Sequence, residues 1–394
     1  MRKINSMNMN KTILSQMQQL ISRYEFEKSV TLHKSDKGVR SFSTWNLLQV
    51  LMFAQLSAKK SLRDICDTLR AKNNYWYHLG LQSISRNNLS HSMMNRPAQV
   101  FEETFYKLLL KFKNERGYLK DKRFKFKNPL QSIDSTTISL CLALFNWADF
   151  RQTKGGIKLH VMIDNRTQVP DFVIMTEAKK HDVKIAENIV FQKDSIYVFD
   201  RGYFKYELFQ KIAKNRAFFV TRTKSNTQYR IIQRQEKKDS CIKADWIVKV
   251  SGVRKDECPG NLRVIRYYDS ETNRVFEYMT NNFHLSAKTI ADIYKARWDI
   301  ELFFKWVKQN LKIKTFIGIT ENAVLMQIWA AMIVFILIQY IKFLSRTSFS
   351  ILTVFRLIGD NLFNKNDLND LLKERSMFKK KNKSSLDFQL DFCW

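Results

Sequence analysis

Apolar positions recur at helical spacing through the first third of the chain, alternate like strands through the middle, and return to helical spacing near the end. Ile13, Leu14, Met17, Leu20, Ile21 and Tyr24 share one helical face, which predicts a first helix. Trp45–Leu56 reads as a second. Ser61 caps a third running to Leu69, and Ser85 caps a fourth running to Met94. A longer helix follows over Val100–Lys113, and cations alternate with aromatics across 111–128 as at a domain junction. From about residue 129 strands are expected at Leu130–Thr137, Ile157–Ile163, Phe172–Thr176, Ile196–Asp200 and Ala217–Thr221, with helices at Val183–Val190 and Tyr206–Lys214. Residues 225–285 turn β-like again, with strands at Tyr229–Ile232, Trp246–Val250, Leu262–Tyr268 and Val275–Thr280 and a hairpin turn at 269–273. After Ser286 the pattern is helical, ending in a basic tail that begins at Phe378. The chain is therefore expected to be α/β, divided at 1–125, 126–224, 225–285, 286–345 and 346–394.

Charge changes this picture more than composition does. The chain carries 67 Lys and Arg against 37 Asp and Glu, a net charge of +30. An enzyme of small neutral metabolites has no use for that excess, whereas a polyanion does, since each cation set on a phosphate releases counterions. Apolar residues make up 45% of the chain, enough for a large core, and the 10 Gly and 4 Pro leave little for flexible linkers. The five cysteines are scattered without a C-x-x-C pair, which fits a reducing cytosol and argues against zinc. Ala323–Leu344 is apolar enough to suggest a membrane span, but Gln327, Gln339 and Lys342 interrupt it. A buried core helix is the expected outcome, and no membrane partner is expected.

Candidate chemistry concentrates in three places. On the helix expected over Tyr294–Lys308, the side chains of Tyr294, Arg297, Glu301 and Lys308 fall within an arc of about 60°. Ile300, Phe303, Phe304, Val307 and Leu311 form the neighbouring apolar stripe. A carboxylate flanked by cations and a phenol suits a metal ion and a phosphate, although Arg297 and Glu301 also make an ordinary surface ion pair. Upstream, Asp134 sits within the first strand, and Asp200 ends an apolar strand just before Arg201-Gly202-Tyr203. Three carboxylates on strand, strand and helix can hold two divalent cations about 4 Å apart. His160 and His181 are read as structural rather than as general bases, because two metals make a separate base unnecessary. The polar face of the fourth helix, with Arg86, Asn87, Asn88 and His91, suits a major groove, or is an ordinary solvated face.

With these residues in order, the chain resembles bacterial insertion-sequence transposases of the DDE class, in the "insertion sequence four" family that includes the transposon-five enzyme. The family's last motif is Tyr, two residues, Arg, three residues, Glu, six residues, Lys, and Tyr294, Arg297, Glu301 and Lys308 fit it without a gap. Asp200-Arg-Gly-Tyr203 fits the second motif and Asp134 the first. Gly155-Gly-Ile-Lys-Leu-His160 and Lys180-His181-Asp182 resemble recurring family segments. The resemblance implies an RNase H-like catalytic core interrupted by a β-rich insertion, with helical N-terminal and C-terminal regions. It implies Asp134, Asp200 and Glu301 as ligands of two Mg2+ ions, with Mn2+ as a substitute, and Tyr294, Arg297 and Lys308 as phosphate contacts. Nicking at the transposon ends, a hairpin intermediate and strand transfer into target DNA would follow. The family's base-stacking tryptophan lies in the insertion, where Trp246 is the only tryptophan, and a core position is the competing reading for it. The expected partners are double-stranded DNA at the transposon ends and the target, and a second protomer on that DNA. The expected location is the cytoplasm, at the nucleoid. The rivals are a metal-dependent DNA endonuclease without strand transfer and a catalytically silent DNA-binding protein.

Overall fold

In the computed structural model, residues 11–81, 83–117, 123–141, 145, 147, 149–151, 154–178, 189–251, 258, 260–311, 313 and 316–373 are described. Lys180, His181, Asp182, most of the expected helix Val183–Val190 and the basic tail lie outside them. The chain divides into two compact units, 1–117 with 307–394, and 118–306.

The first unit opens with helices α1 (Ile13–Gln18), α2 (Arg23–Leu32), α3 (Thr44–Leu56), α4 (Leu62–Ala71), α5 (Trp76–Leu79), α6 (Arg86–Asn95) and α7 (Gln99–Arg116). Serine and threonine hydroxyls set the starts of α1–α4 and α6. Ser61 Oγ accepts from the Asp64 amide, Ser85 Oγ from Asn88, and Ser43 forms a reciprocal capping box with Asn46. The single helix expected over Ile13–Tyr24 is broken into α1 and α2. Ser22 Oγ caps the Glu25 amide and restarts the chain in a new direction, which leaves Tyr24 69% exposed. The apolar period hid the break because Ile21, in the linker after α1, is buried like Ile13, Leu14 and Met17 within it.

The second unit is built on one ten-stranded sheet. Its strands are β1 (Leu130–Leu140), β2 (Asp149–Arg151), β3 (Lys154–Asp164), β4 (Val169–Glu177), β5 (Ile196–Phe199), β6 (Phe218–Arg222), β7 (Tyr229–Arg234), β8 (Ile242–Val250), β9 (Asn261–Asp269) and β10 (Arg274–Thr280). The order is β2-β3-β1-β5-β6-β10-β9-β8-β7, with β4 also paired to β3. β1, β5 and β6 are parallel to one another, and the remaining pairs are antiparallel. The parallel step from β5 to β6 needs a crossover, which α8 (Tyr206–Lys214) supplies. β5 is buried along its whole length because both sheet faces are covered. Tyr197 and Phe199 join the cluster under α8, where Phe209 stacks on Phe219 at 4.2 Å. Ile196 and Val198 face the opposite cluster with Ile290 and Ile293. Gly156 permits the close approach of β3 to β1, since a Cβ there would sit 3.1 Å from Thr137 Cγ2 and 3.2 Å from the Ile138 carbonyl oxygen. The four strands within 225–285 continue this same sheet, because β10 pairs with β6.

The helix expected over Tyr294–Lys308 is two helices, α9 (Ala287–Lys295) and α10 (Trp298–Asn310). Between them the hydrogen bonds tighten from four-residue to three-residue spacing. The Arg297 amide donates to the Tyr294 carbonyl, Asp299 to Ala296, and Ile300 to Arg297. The division between units falls within α10, at Val307. The apolar stripe of Ile300, Phe303, Phe304, Val307 and Leu311 is buried as its spacing predicts.

The first unit closes with α11 (Glu321–Ser345), α12 (Ile351–Asp360) and α13 (Leu368–Leu372). α11 is the one helix among the described residues long and apolar enough to cross a membrane, and 89% of its apolar window is buried inside the protein. It is therefore the core helix of its unit. Trp329 meets Phe105 and Tyr340 meets Phe112 of α7 at 5.4 and 5.1 Å between ring centres. Gln327, which breaks the apolar run, is satisfied in place, accepting from the Ile317 amide and donating to the Ala323 carbonyl.

Candidate active site

The pairing of β1 with β5 aligns Ile133 with Phe199, so the next residues along the two parallel strands are Asp134 and Asp200. Neighbouring strands lie about 4.8 Å apart, which makes these two carboxylates adjacent although they are remote in sequence. β5 ends at Phe199, and a short 3-10 turn over Arg201–Tyr203 follows, anchored by Tyr203 in the core beneath. Ligands in open α/β sheets gather at such strand ends.

The α9–α10 turn brings the other residues to the same place. The Tyr294 hydroxyl donates to Asp200 Oδ1 at 3.2 Å. Arg297 Nη1 donates to Asp134 Oδ2 at 3.1 Å, and its Nη2 donates to Glu301 Oε1. One guanidinium thus bridges two of the acids, and the phenol holds the third. The Arg297 side chain is 14% exposed, against 21% for Asp134 and 33% for Glu301. The Arg297 Nε is buried with no hydrogen-bond partner among the described residues.

The electrostatics follow from this crowding. Burial, with the nearby charges of Glu301 and Asp200, pushes the Asp134 carboxyl from its ordinary 3.8 up to about 6, despite the Ser135 amide and Arg297 pulling it down. Burial also lifts the Tyr294 phenol to about 12, so it stays a donor at neutral pH. Burial works against the charge of Arg297, but Tyr294, Glu301 and Asp134 together outweigh it and hold the guanidinium protonated. The site holds more negative charge than one arginine balances well. Among the described residues no three carboxylate, imidazole or thiol side chains converge closely enough to hold a metal ion as they stand. Asp134 and Glu301 instead engage separate nitrogens of Arg297. The hard oxygen donors and excess negative charge nonetheless fit divalent cations of the magnesium type.

Of the six residues expected as metal ligands or phosphate contacts, five meet here. Lys308 is half-buried on α10 in the first unit. Trp246 lies on β8, half-buried against the cluster that holds Val248, Val264 and Met279, in keeping with the core alternative. His160 is 2% exposed and bonds Thr176 Oγ1 at 2.9 Å across the β3–β4 pair, as a structural histidine does. Two features escaped the sequence reading. Trp298, 57% exposed, follows Arg297 directly. Its signal was available, because this large aromatic falls outside the apolar stripe of its helix. Asn165 and Asp299, buried behind the α9–α10 turn, had no signal, since an Asp-Asn-Arg-Thr stretch reads as an ordinary turn.

Comparison with known proteins identifies the family. Residues 125–337 match the transposase DDE domain, and residues 9–82 match a domain of unknown function (DUF4372). A probable transposase for insertion sequence element IS5377 of Geobacillus stearothermophilus is 28% identical over 85% of this chain and 86% of its own length. The putative transposase y4zB of Sinorhizobium fredii is 33% identical over 71% of this chain and 78% of its own. A cryo-electron microscopy structure of the piggyBac transposase synaptic complex with hairpin DNA aligns over 92% of this chain and 82% of that one, at a TM-score of 0.49 and 9% identity, a likeness too loose to carry weight. With a domain match across more than half its length and relatives of this similarity, the chain belongs to the DDE transposases of bacterial insertion sequences, metal-dependent enzymes that cut and transfer DNA.

Proposed function

We propose that Asp134, Asp200 and Glu301 are the ligands of two Mg2+ ions, replaceable by Mn2+, and that the enzyme moves its element by cut-and-paste chemistry at terminal inverted repeats. The observation that carries this reading is the gathering of three sequence-remote acids around Arg297 and Tyr294. The strand order β4-β3-β1-β5-β6, three antiparallel strands followed by two parallel ones, supports an RNase H-like core, with β7–β10 as the insertion. Membership of the "insertion sequence four" branch rests on the Tyr-Arg-Glu-Lys spacing.

Divalent cations bound at the three acids would supply the charge that activates water or a 3′-hydroxyl and stabilises the leaving oxygen. The protein's own residues do the rest. Arg297 offers its two Nη groups to a phosphate once its carboxylates turn toward cations. Tyr294 remains a protonated donor to a phosphate oxygen. Lys308 adds a further cation along the same helix. Trp298 is the more accessible aromatic for stacking on an unpaired base, and Trp246 the less accessible. The test is a labelled duplex bearing the element's own terminal repeat, incubated with the enzyme, Mg2+ and a target plasmid. Nicked, hairpinned and then joined products are expected. Cleavage without joined products would favour an endonuclease.

The helical N-terminal module is the reader of the repeat in this proposal. α6 exposes Arg86, Asn87, Asn88 and His91, residues that pair with guanine and adenine edges in a major groove. Arg86→Ala is expected to weaken end-specific binding by about 1–3 kcal/mol while changing binding to random DNA little. Gel-shift titration on the two DNAs measures this, and an equal loss on both would reduce Arg86 to a phosphate contact. Two ends joined in one reaction call for two active sites, so the reading includes a homodimer on DNA. Light scattering of the end-bound complex reports its protomer number, and one protomer per complex counts against the dimer.

A further inference from the structure

We infer that Asn165 is a positioning residue, which sets the α9–α10 turn and through it the placement of Arg297. The inference rests on the proposed role of Arg297 at the DNA phosphate. Asn165 follows the last residue of β3, in the β3–β4 turn, and is 2% exposed. Its backbone is fixed on both sides, since its amide donates to the Leu130 carbonyl at 3.0 Å and its carbonyl accepts from Arg123 Nη2 at 3.0 Å. Its side-chain amide is fixed as well. Oδ1 accepts from Ser132 Oγ at 2.9 Å. Nδ2 donates to the Ala296 carbonyl at 2.8 Å and to Asp299 Oδ2 at 2.9 Å. Neither of those acceptors can donate, so the amide has only one orientation that satisfies all its partners. Arg123 Nη1 completes the cluster with an ion pair to Asp299 Oδ2 at 2.8 Å.

The partner that matters is the Ala296 carbonyl. In an unbroken helix it would accept from the Ile300 amide, but that amide donates to Arg297 instead. The Ala296 carbonyl accepts instead from the Asp299 amide, and Asn165 Nδ2 fills its second lone pair, which favours the turn over continued helix. An unbroken helix would place Tyr294, Arg297 and Glu301 along one column. The turn instead sends Arg297 across to Asp134 while Tyr294 reaches Asp200. A buried asparagine, itself anchored beside β1 through Ser132, thereby locks the guanidinium in register with the strand that carries Asp134. Such an amide is chosen for what it orients, because an apolar residue would fill the same space without the geometric demand.

The experiment measures single-turnover cleavage of a labelled terminal-repeat duplex with Mg2+ at saturating full-length enzyme. The proteins are wild type, Asn165→Ala, Arg297→Ala and the double variant. Arg297→Ala is expected to slow cleavage about 10²- to 10³-fold. Asn165→Ala is expected to slow it about 10- to 10²-fold, as sub-ångström misplacement does, with end binding little changed. In the double variant Asn165→Ala should add less than about 3-fold, because its effect passes through a side chain already removed. A merely structural loss would slow both backgrounds equally, and that multiplicative result overturns the inference while leaving the site intact. Wild-type cleavage by Asn165→Ala also overturns it. Wild-type cleavage by Arg297→Ala overturns the site reading and the inference together. Should Asn165→Ala fail to fold, Ser132→Ala replaces it, keeping the asparagine but freeing its amide to turn. The same pattern at about 3- to 10-fold is then expected, and a multiplicative loss is again contrary.

Discussion

Asp134→Asn should reduce cleavage at the transposon end by about 10³-fold or more, because the three acids act as a unit and the loss of one forfeits the function of all. Binding to the end should persist, since the substitution removes a negative charge from a surface that meets phosphates. The protein should also not be weakened. Asp134 ionises in the fold at about 6 against an ordinary 3.8, so keeping it charged at neutral pH works against folding, by up to about 3 kcal/mol. Arg297 loses a partner in the variant but keeps Glu301, so part of that gain is offset. The sign gives a second readout. A group whose pKa is raised by folding stabilises the native state fully below its unfolded value, and that contribution is lost as pH rises through about 6. Wild-type stability should therefore carry a component that falls between about pH 4 and 6, and Asp134→Asn should lack it. Wild-type cleavage should fall as pH drops below about 6, and higher metal concentration should move that limb lower, because cation and proton compete for one carboxylate. Urea titrations across pH, paired with cleavage assays, check both parts. An Asp134→Asn protein that cleaves normally removes Asp134 from the site.

The largest effect on stability should come from Arg263. Its guanidinium grips Asp245 with two hydrogen bonds, Nε to Oδ1 at 2.8 Å and Nη2 to Oδ2 at 2.6 Å. Its Nη1 donates to the Leu285 carbonyl at 2.6 Å and to the Asn282 carbonyl at 3.4 Å. The Asp245 and Arg263 side chains are 4% and 8% exposed. Arg263→Ala leaves a buried carboxylate and two carbonyls without their donor, at about 3–5 kcal/mol. Replacing both partners with apolar residues, as in Asp245→Leu with Arg263→Met, should recover most of that loss, because a buried pair contributes little beyond an apolar pair of similar volume. The damage should reach the active site as well. Asn282 and Leu285 lie just before Ser286, which caps α9 and so sets where Tyr294 stands. Urea denaturation of the single and double variants measures the first part and end cleavage the second. A loss under about 1 kcal/mol in Arg263→Ala contradicts the pair's structural role.

Much of this was legible in the sequence, and what was not has physical reasons. Helix starts announced themselves, since Ser61, Ser85 and Ser286 each stand immediately before an amphipathic run and each caps the amide three residues on. α8 was bounded to the residue, because Tyr206–Lys214 lies between turn-forming stretches. The core helix α11 was separable from a membrane span through its polar interruptions, of which Gln327 is hydrogen-bonded inside the fold. The three acids proposed as metal ligands stood out because such chemistry demands fixed residue types at spaced positions. The break between α9 and α10 did not. Ala296 and Arg297 are good helix formers, and neither Gly nor Pro marks the turn. The break is stabilised by Asn165, more than a hundred residues upstream, through contacts that no local window contains. The break at Ser22 was missed for a different reason, since the apolar period ran on from α1 through Leu20 and Ile21 of the linker to Tyr24 at the start of α2.

If Asp134, Asp200 and Glu301 share bound metal, iron held there will cut the polypeptide beside each of them. Fe2+ is exchanged for Mg2+ in the enzyme–end DNA complex, ascorbate and peroxide are added, and the fragments are mapped by mass spectrometry. Cuts are expected at three places, beside Asp134 on β1, beside Asp200 after β5 and beside Glu301 on α10, all suppressed by excess Mg2+. Cuts confined to other segments, or no Mg2+-sensitive cuts at these three, would contradict a metal shared by the three acids.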